Sequence, residues 1–188
     1  MDGLPLFPLH TVLFPGGRLP LRLFERRYLD MASACMRGRS PFGVCLIREG
    51  SEVGAPATPH DVGTLATIAE WDMQQLGMLQ IVATGGQRFR IRASRTESGL
   101  LRGDVELLPP ESDGGIPPDA AACVRLLERV IEEQPALLEQ PHRLDSSAWV
   151  SARLAELLPL PLALKQELLE ADAPARLERL GEILKRAA

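Results

Sequence analysis

The sequence contains few of the residues from which disulfide frameworks, zinc centres and catalytic triads are built. It has three cysteines and three histidines in 188 residues, widely spaced and with no C-x-x-C pair. An odd number of scattered cysteines argues against both a disulfide framework and a structural zinc site. We therefore predict no metal site and no cofactor.

Sequence motifs that are typical of catalytic sites are also lacking. There is no G-x-x-x-x-G-K-[ST] phosphate loop, no H-E-x-x-H helix and no G-x-S-x-G nucleophile elbow. The glycine pairs Gly85-Gly86 and Gly114-Gly115 are isolated and open no phosphate cradle. We predict that the chain has no catalytic residues and is not an enzyme, although a triad assembled in space is recognised by geometry rather than by sequence.

The sequence has no long apolar run and no leader-like start. No stretch approaches the roughly 18 apolar residues of a membrane-spanning helix. The opening MDGLPLFPLH has an acidic second residue, two prolines and no basic region, unlike a signal peptide. These features predict a cytoplasmic protein with no membrane partner.

Lysine is scarce, and the basic charge is almost entirely arginine. Of the 21 basic residues only Lys165 and Lys185 are lysine, and the formal net charge is −4. Residues 1–112 are neutral, whereas residues 113–188 carry the whole negative excess. Because nucleic-acid binders are typically basic, nucleic acid is disfavoured as a partner.

What the chain does have is turn residues and a change of periodicity. It holds 16 prolines and 16 glycines, and four prolines and two glycines lie in the segment PPESDGGIPP, residues 109–118. Such a segment is typical of a linker or a domain boundary. Seven of the eight aromatic residues precede it. We predict two domains, residues 1–112 and 113–188.

The first domain has the pattern of strands separated by turns. One helix is predicted from Glu25 to about Arg37. Six or seven strands with a single helix indicate a curled sheet or small barrel. The predicted strands, which are short and apolar or alternate strictly, are Leu4–Leu9, Arg18–Phe24, Phe42–Ile47, Val62–Trp71, Leu76–Ala83, Arg88–Ala93 and Arg102–Leu108.

The second domain has helical spacing, and we expect residues 118–186 to be essentially all helix. Asp119 is a predicted helix cap, and either Ser146 or Ser147 caps the next helix. A third helix is predicted over Leu162–Glu170 and a fourth from Pro174. Four helices with short connections indicate a compact bundle.

The candidate binding site is the corner where a strand passes into the first helix. Arg26 and Arg27 lie where the helix dipole is positive, so two cations are locally unfavourable there. Such a conflict can mark a functional surface. We predict that Glu25, Arg26 and Arg27 lie exposed and bind a partner. The alternative is that the two arginines pair with Glu25 and Asp30 on an ordinary solvated surface.

Another arginine cluster admits two interpretations. Arg88, Arg90 and Arg92 alternate with apolar residues, so their guanidinium groups could line one sheet face as an anion strip. The favoured interpretation is a solvated strand face with Phe89 and Ile91 pointing inward.

RNA binding rests on a basic stretch and on two aromatic residues. Residues 18–48 hold seven arginines, which could form an RNA footprint. Trp71 and Phe42 could serve as stacking platforms, but aromatic residues in strands belong more often to the core, which is the favoured placement.

The order of several segments resembles the N-terminal domain of the ATP-dependent Lon protease, peptidase S16. The opening L-P-L-F-P-L-x-x-V-L-F-P-G and the strand L-P-L-R-L-F-E-R-R-Y are followed by V-G-T-L-A-T-I and G-G-Q-R-F-R-I. The later stretches L-P-L-P-L-A-L-K-Q-E-L-L-E and R-L-E-R-L are similar to the helical part of the same domain. The resemblance covers about residues 4–184.

This resemblance implies an α+β fold: a PUA-like six-stranded pseudo-barrel with one helix, followed by an all-α helical bundle. In full-length Lon this region contacts protein substrates and helps assembly, while the ATPase and the Ser-Lys protease lie downstream. No catalytic residue of Lon can be carried over, because none of those segments is in this sequence. The chain resembles a stand-alone bacterial Lon N-terminal domain.

The leading functional hypothesis is a non-catalytic polypeptide-binding module. It would recognise unfolded or client proteins as an adaptor or quality-control factor, with a protease or chaperone as a further partner. An arginine-rimmed apolar patch, or an edge strand that pairs with a peptide, would supply the contacts. The alternative is an RNA-binding module of PUA-like fold, which rests on analogy of fold.

Overall fold

A computed structural model describes residues 1–55, 57–75 and 77–187. Over these residues the protein is α+β, with a six-stranded mixed sheet and five α-helices. The chain divides into two compact units, Met1–Pro110 and Glu111–Ala188, and the division falls within the proline-rich segment. None of the described helices is long and apolar enough to cross a membrane.

The first unit is a sheet that closes on itself. Its strands pair in the order β2-β5-β4-β3-β1-β6, and a further pairing of β5 with β6 joins five of them in a closed circuit. β2 lies outside that circuit on one side of β5, and β1 and β3 are the parallel pair. The elements are β1 (Leu4–Leu9), β2 (Arg18–Leu23), α1 (Arg26–Gly38), β3 (Phe42–Glu49), β4 (Thr58–Gln75), β5 (Met78–Glu97) and β6 (Leu100–Leu107).

β5 is long enough to pair with two other strands at different points along its length. Its first part pairs with β2, and its last part, from Phe89 onward, pairs with β6. The predicted division into two strands, Leu76–Ala83 and Arg88–Ala93, is therefore wrong, because one strand runs through Gly85 and Gly86. The predicted start at Leu76 lies outside the described residues.

The core of the first unit consists of two clusters of buried apolar side chains. The larger cluster includes Phe7, Tyr28 and Phe42, and the rings of Phe7 and Tyr28 stack with centroids 4.0 Å apart. The smaller cluster is centred on Phe89, which is fully buried. Phe89 therefore points inward, as predicted, but the expected solvated arginine face is wrong at Arg88, which is 8% exposed.

The second unit is built from helices joined by irregular chain. Residues 134–146 contain no helix or strand, so residues 118–186 are less fully helical than expected. Asp119 lies in a 3-10 turn, Pro118–Ala120, rather than capping the first helix. The helices are α2 (Ala121–Glu133), α3 (Ser147–Leu157), α4 (Leu162–Glu170) and α5 (Ala173–Ala187).

In the second unit α3 packs against α5, and the unit also contains a buried ion pair. Val150 and Leu177 are buried on these two helices. Arg176 is fully buried and pairs with the carboxylate of Glu111, so the start of this unit is tied to α5 by charge. Ser146 accepts a hydrogen bond from the amide of Trp149 at 3.1 Å, and it is thus the cap of α3.

Candidate functional site

The predicted corner lies where β2 passes into α1. Glu25 is the N-cap residue of α1 and has extended backbone, with φ −76° and ψ 134°. Its carbonyl oxygen accepts hydrogen bonds from the amides of Tyr28 and Leu29, both at 3.0 Å. Its side chain does not cap the helix but pairs with Arg27, with 2.9 Å between Oε2 and Nη2. The carboxylate thus offsets one of the two cations at the positive end of the helix dipole.

Arg27 is largely covered, so the expectation that it lies exposed is wrong. Only 10% of its side chain is accessible. Its Nη1 donates to the carbonyl oxygen of Gly99 at 2.9 Å, and its guanidinium carbon lies 4.6 Å from the centroid of the Tyr28 ring. The side chain therefore reaches across to the turn between β5 and β6, where its charge has fixed partners.

Arg26 is the exposed cation of the corner. Its side chain is 89% accessible, and its Nε lies 3.2 Å from Oδ2 of Asp30, one helical turn away. Such an exposed pair contributes little stability, about 0.3 to 0.5 kcal/mol. Arg27 thus pairs with Glu25 and Arg26 with Asp30, which are the ion pairs named in the alternative interpretation of this corner. Their role in binding stays a prediction.

A concave region lies beside this corner, and we call it the β2 pocket. Its volume is about 170 Å³, and its apolar lining comes from β1, β2, Phe24, Tyr28 and Val53. Its acidic members are Glu25 and Glu52. Burial raises the pKa of the Tyr28 phenol; the nearby charge of Arg27 opposes this shift, and the two carboxylates add to it. The phenol therefore stays protonated at neutral pH.

Two apolar side chains at the mouth of the β2 pocket are open to solvent. Phe24 is 55% exposed and Val53 is 57% exposed. Contiguous exposed apolar patches rimmed by polar residues mark binding grooves, and both side chains belong to the lining of this pocket. The sequence reasoning missed both residues. A signal was available for one of them, because Leu23 and Phe24 are consecutive at a strand end and only Leu23 can face the core.

A second, wider concave region spans three strands of the sheet. It is about 550 Å³ in volume and is lined by Pro20–Arg22 of β2, Gln80–Val82 of β5 and Glu70–Asp72 of β4. Trp71 on its border is 63% exposed, so its expected placement in the core is wrong, whereas Phe42 is fully buried as favoured. β3 pairs with β4 as far as Ala66, so Trp71 lies beyond the paired residues of these two strands.

The groups that usually carry chemistry are either buried or dispersed. Burial raises the pKa of the thiols of Cys35, Cys45 and Cys123, which keeps them protonated and poorly nucleophilic. Among the described residues, no three His, Cys, Asp or Glu side chains are placed to hold a metal ion.

Comparison with protein families gives one match over almost the whole chain. Residues 3–186 match the model described as the ATP-dependent protease La (LON) substrate-binding domain. Among curated proteins, the Lon protease of Anaeromyxobacter dehalogenans (strain 2CP-C) is 28% identical over 193 residues, which is 97% of this chain and 23% of that protein. Lon protease 2 of Myxococcus xanthus gives the same identity and coverage. The chain thus spans about a quarter of the length of these Lon relatives.

The chain is also similar to a protein other than Lon and to two solved structures. Protein cereblon of Danio rerio is 29% identical over 140 residues, 72% of this chain and 31% of that protein. The crystal structure of a Lon N-terminal domain protein from Xanthomonas campestris matches with a TM-score of 0.81 and 41% identity, covering 96% of this chain and 97% of that one. The N-terminal domain of the Mycobacterium avium complex Lon protease, 21% identical over 95% of both chains, shares the fold with a TM-score of 0.68.

These matches confirm the resemblance that the order of motifs indicated. They also confirm the α+β fold of six strands and five helices as that of a Lon N-terminal domain. This domain is non-catalytic in Lon, where the ATPase and protease domains are separate from it. The chain belongs to the family of the ATP-dependent protease La (LON) substrate-binding domain.

Proposed function

We propose that this protein binds unfolded or client polypeptides as an adaptor or quality-control factor. The observation that carries the proposal is the β2 pocket, an apolar depression whose mouth exposes Phe24 and Val53. The family's substrate-binding description supports the same class of ligand. Burying apolar surface is worth about 25 cal/mol per Å², so a few apolar side chains of an unfolded segment supply useful affinity.

The charged corner has a distinct part in this proposal. Glu25 lines the pocket and can contact the bound segment directly. Arg26 is exposed at the rim, where charges act mainly on the rate of encounter. Arg27 holds the corner together through Glu25 and Gly99 and thereby positions the pocket wall.

The proposal extends to architecture and setting. We take the closed strand circuit of the first unit as a PUA-like pseudo-barrel and the helices of the second unit as a bundle. Residues 1–112 then form the binding domain and residues 113–188 the helical subdomain. The protein works in the cytoplasm, without cofactor or membrane, alongside a protease or chaperone that processes the bound client.

RNA binding, the alternative, has less support. One feature favours it, because Trp71 is exposed beside Arg22 and could stack on a base. However, Glu70 and Asp72 flank this tryptophan, and their charge opposes phosphate. Arg18 already pairs with Glu70 at 2.5 Å. A single-stranded RNA probe therefore serves as the comparison ligand in the test of polypeptide binding.

The binding test replaces the two exposed apolar residues of the pocket mouth. We expect Phe24→Ser with Val53→Ser to weaken binding of a fluorescent, reduced and alkylated α-lactalbumin at least fivefold, measured by anisotropy. Leu107→Ser is the control, because Leu107 is an exposed apolar residue elsewhere in the first unit. Equal effects of the two variants, or tighter binding of RNA than of the unfolded protein, would contradict the proposal.

The proposal also includes the absence of catalysis by this chain. We expect the purified protein to hydrolyse no ATP and to cleave no casein, because its sequence has neither a phosphate loop nor a nucleophile motif. Phosphate release and peptide fluorescence are the measurements. Turnover that a point mutation in this chain abolishes would overturn this part of the proposal.

A further inference from the structure

β2 has a partner strand on one side. It pairs with β5 in unbroken antiparallel register over all six of its residues, and it stands at the end of the strand order. Within residues 1–55, 57–75 and 77–187, no strand pairs with its other side. An edge of this kind presents backbone N–H and C=O groups to which another strand can bind. We call residues 19–23 the β2 edge, which is roughly 17 Å long at about 3.4 Å per residue.

The alternation of the ladder indicates which residues of the β2 edge direct their backbone groups outward. The Gly85 amide donates to the carbonyl oxygen of Gly17 at 2.8 Å, so this carbonyl faces β5. Because bonded positions alternate along an antiparallel strand, the odd-numbered residues of the β2 edge also face β5, whereas Pro20 and Arg22 face away. Proline agrees with this assignment, since it lacks an N–H and occurs on edge strands with that side away from the ladder. The β2 edge thus offers the carbonyl groups of Pro20 and Arg22 and the amide of Arg22.

The β2 edge runs along the β2 pocket. Residues 20–23 of the edge belong to the lining of the pocket. The leucines at 19 and 21 are half-buried and Leu23 is buried, whereas Pro20 and Arg22 are exposed. Successive residues of a strand point to opposite faces. A strand added here would therefore turn every second side chain toward the pocket and the others toward solvent beside Arg22.

The charges on these two faces differ in sign. On the solvent face, Arg22 is exposed and pairs with no carboxylate of the described chain, whereas Arg18 already pairs with Glu70 at 2.5 Å. The acidic residues of β4 lie beyond β5, on the far side from an added strand. On the pocket face, the charged members of the lining are Glu25 and Glu52. Acidic side chains of an added strand are therefore favoured beside Arg22 and disfavoured toward the pocket, where apolar ones fit.

A second copy of this chain is a poor occupant of the β2 edge. Antiparallel pairing centred on Pro20 would set Arg18 opposite Arg22 of the other copy, and pairing centred on Arg22 would set two arginines opposite each other. Like charges directly opposite each other across strands are destabilising. Pairing centred on Leu21 keeps the arginines apart, but each copy then contributes a proline that donates no hydrogen bond.

We propose that an unfolded client binds as a strand added to the β2 edge, through a segment that alternates acidic and apolar residues. The acidic side chains lie beside Arg22, and the apolar ones point to the β2 pocket with its open residues Phe24 and Val53. Main-chain hydrogen bonds supply affinity in this mode, and alternate side chains supply specificity. The inference rests on the proposed binding of polypeptides at the pocket and names the class of segment that is bound.

The test uses a fluorescein-labelled eight-residue peptide that alternates glutamate and valine, with binding measured by anisotropy. We expect it to bind at least tenfold more tightly than a peptide of the same composition with all glutamates in one block. Arg22→Glu should weaken binding at least tenfold. Arg48→Glu, at an exposed position of β3 three strands away, makes the same change of charge and should leave affinity within twofold.

A charge exchange keeps the test independent of any loss of folding in the variant. A peptide that alternates lysine and valine should bind Arg22→Glu at least fivefold more tightly than it binds Arg48→Glu. The two variants have the same net charge, so general attraction of a basic peptide to the protein is equal in both.

Backbone pairing is tested on the unmodified protein. N-methylation of one alternate set of residues in the glutamate–valine peptide should abolish binding, whereas N-methylation of the other set should change it less than threefold. Equal binding of the block peptide, equal effects of the two methylations, or equal affinities of Arg22→Glu and Arg48→Glu would overturn the proposal. Dimerisation of the protein without peptide binding would overturn the assigned occupant.

Failure of strand addition and failure of the proposed function give different results. If unfolded α-lactalbumin binds through Phe24 and Val53 but the two methylated peptides bind equally, strand addition is overturned and the pocket keeps its role. If α-lactalbumin does not bind while the alternating peptide binds and is sensitive to one methylation, the general client role is overturned and the β2 edge is supported as a site for alternating segments.

Discussion

Arg26 and Arg27 show how adjacent residues of the same type come to have different roles. Both follow the N-cap residue of α1, but successive helical positions point about 100° apart. Arg26 therefore faces solvent and Asp30, while Arg27 is turned to Gly99 and the Tyr28 ring. The first is available to a partner, and the second is part of the structure.

This difference predicts opposite sensitivities to charge reversal. Arg26→Glu should change the free energy of unfolding by less than about 0.5 kcal/mol, as surface substitutions usually do. Arg27→Glu should lower it by about 1.5 to 3 kcal/mol, because a charged hydrogen bond to Gly99 is lost and two carboxylates then adjoin Glu25. Urea denaturation of both variants measures the difference, and equal values would show that Arg27 is as free as Arg26.

At the scale of elements, β5 determines the form of the first unit. It pairs with β2, β4 and β6, and its continuity through Gly85 is what closes the strand circuit. The loop before β2 crosses β5 at this glycine. The amide of Gly16 donates to the Gly85 carbonyl at 2.8 Å, and the Gly85 amide donates to Gly17 at 2.8 Å. Glycine is needed because the crossing backbone leaves no space for a side chain.

Substitution at this crossing should therefore be costly. A Cβ atom at Gly85 would overlap the carbonyl oxygen of Phe14 and lie 3.1 Å from Cγ of Leu13. We expect Gly85→Ala to lower the free energy of unfolding by about 1 to 3 kcal/mol, the usual cost of overpacking. Thermal and urea denaturation are the measurements.

The neighbouring glycine supplies the matched control. A Cβ atom at Gly86 would meet its nearest atom, the carbonyl oxygen of Leu65, at an ordinary 3.6 Å. Gly86→Ala should therefore leave stability close to that of the parent protein. A loss at Gly86 as large as at Gly85 would attribute the effect to strand glycines in general rather than to the loop crossing.

At the scale of the whole molecule, the chain forms two compact units, each with its own buried apolar residues. Both core clusters of the first unit lie within residues 4–105. The second unit has its own buried leucines, among them Leu127, Leu154 and Leu177. A unit with a complete core is expected to fold alone.

We accordingly expect a fragment of residues 1–110 to fold on its own. It should give a β-rich circular dichroism spectrum and a single cooperative urea transition. A shorter fragment of residues 1–96 is the control, because it lacks β6 and so opens the strand circuit that β5 and β6 close. Loss of cooperativity in both fragments would show that the first unit depends on residues beyond Pro110.

The sequence by itself determined the strand-rich and helix-rich halves of the chain and its family. Alternation in Arg18–Leu23 placed β2, and helical spacing with prolines placed Leu162–Glu170. These signals are local, because the period of apolar residues follows from the geometry of each element. The family followed from motifs spread over nearly the whole chain.

Tertiary structure alone decided which of these residues are open to a partner. It covered Arg27, buried Arg88 and left Trp71 and Phe24 in solvent. Periodicity identifies which face of an element is apolar, but exposure depends on whether another strand or helix reaches that face. β3 ends its pairing with β4 before Trp71, and Arg27 donates a hydrogen bond to the β5–β6 turn. Neither can be read from local periodicity, because the closed sheet sets the contacts between residues far apart in sequence.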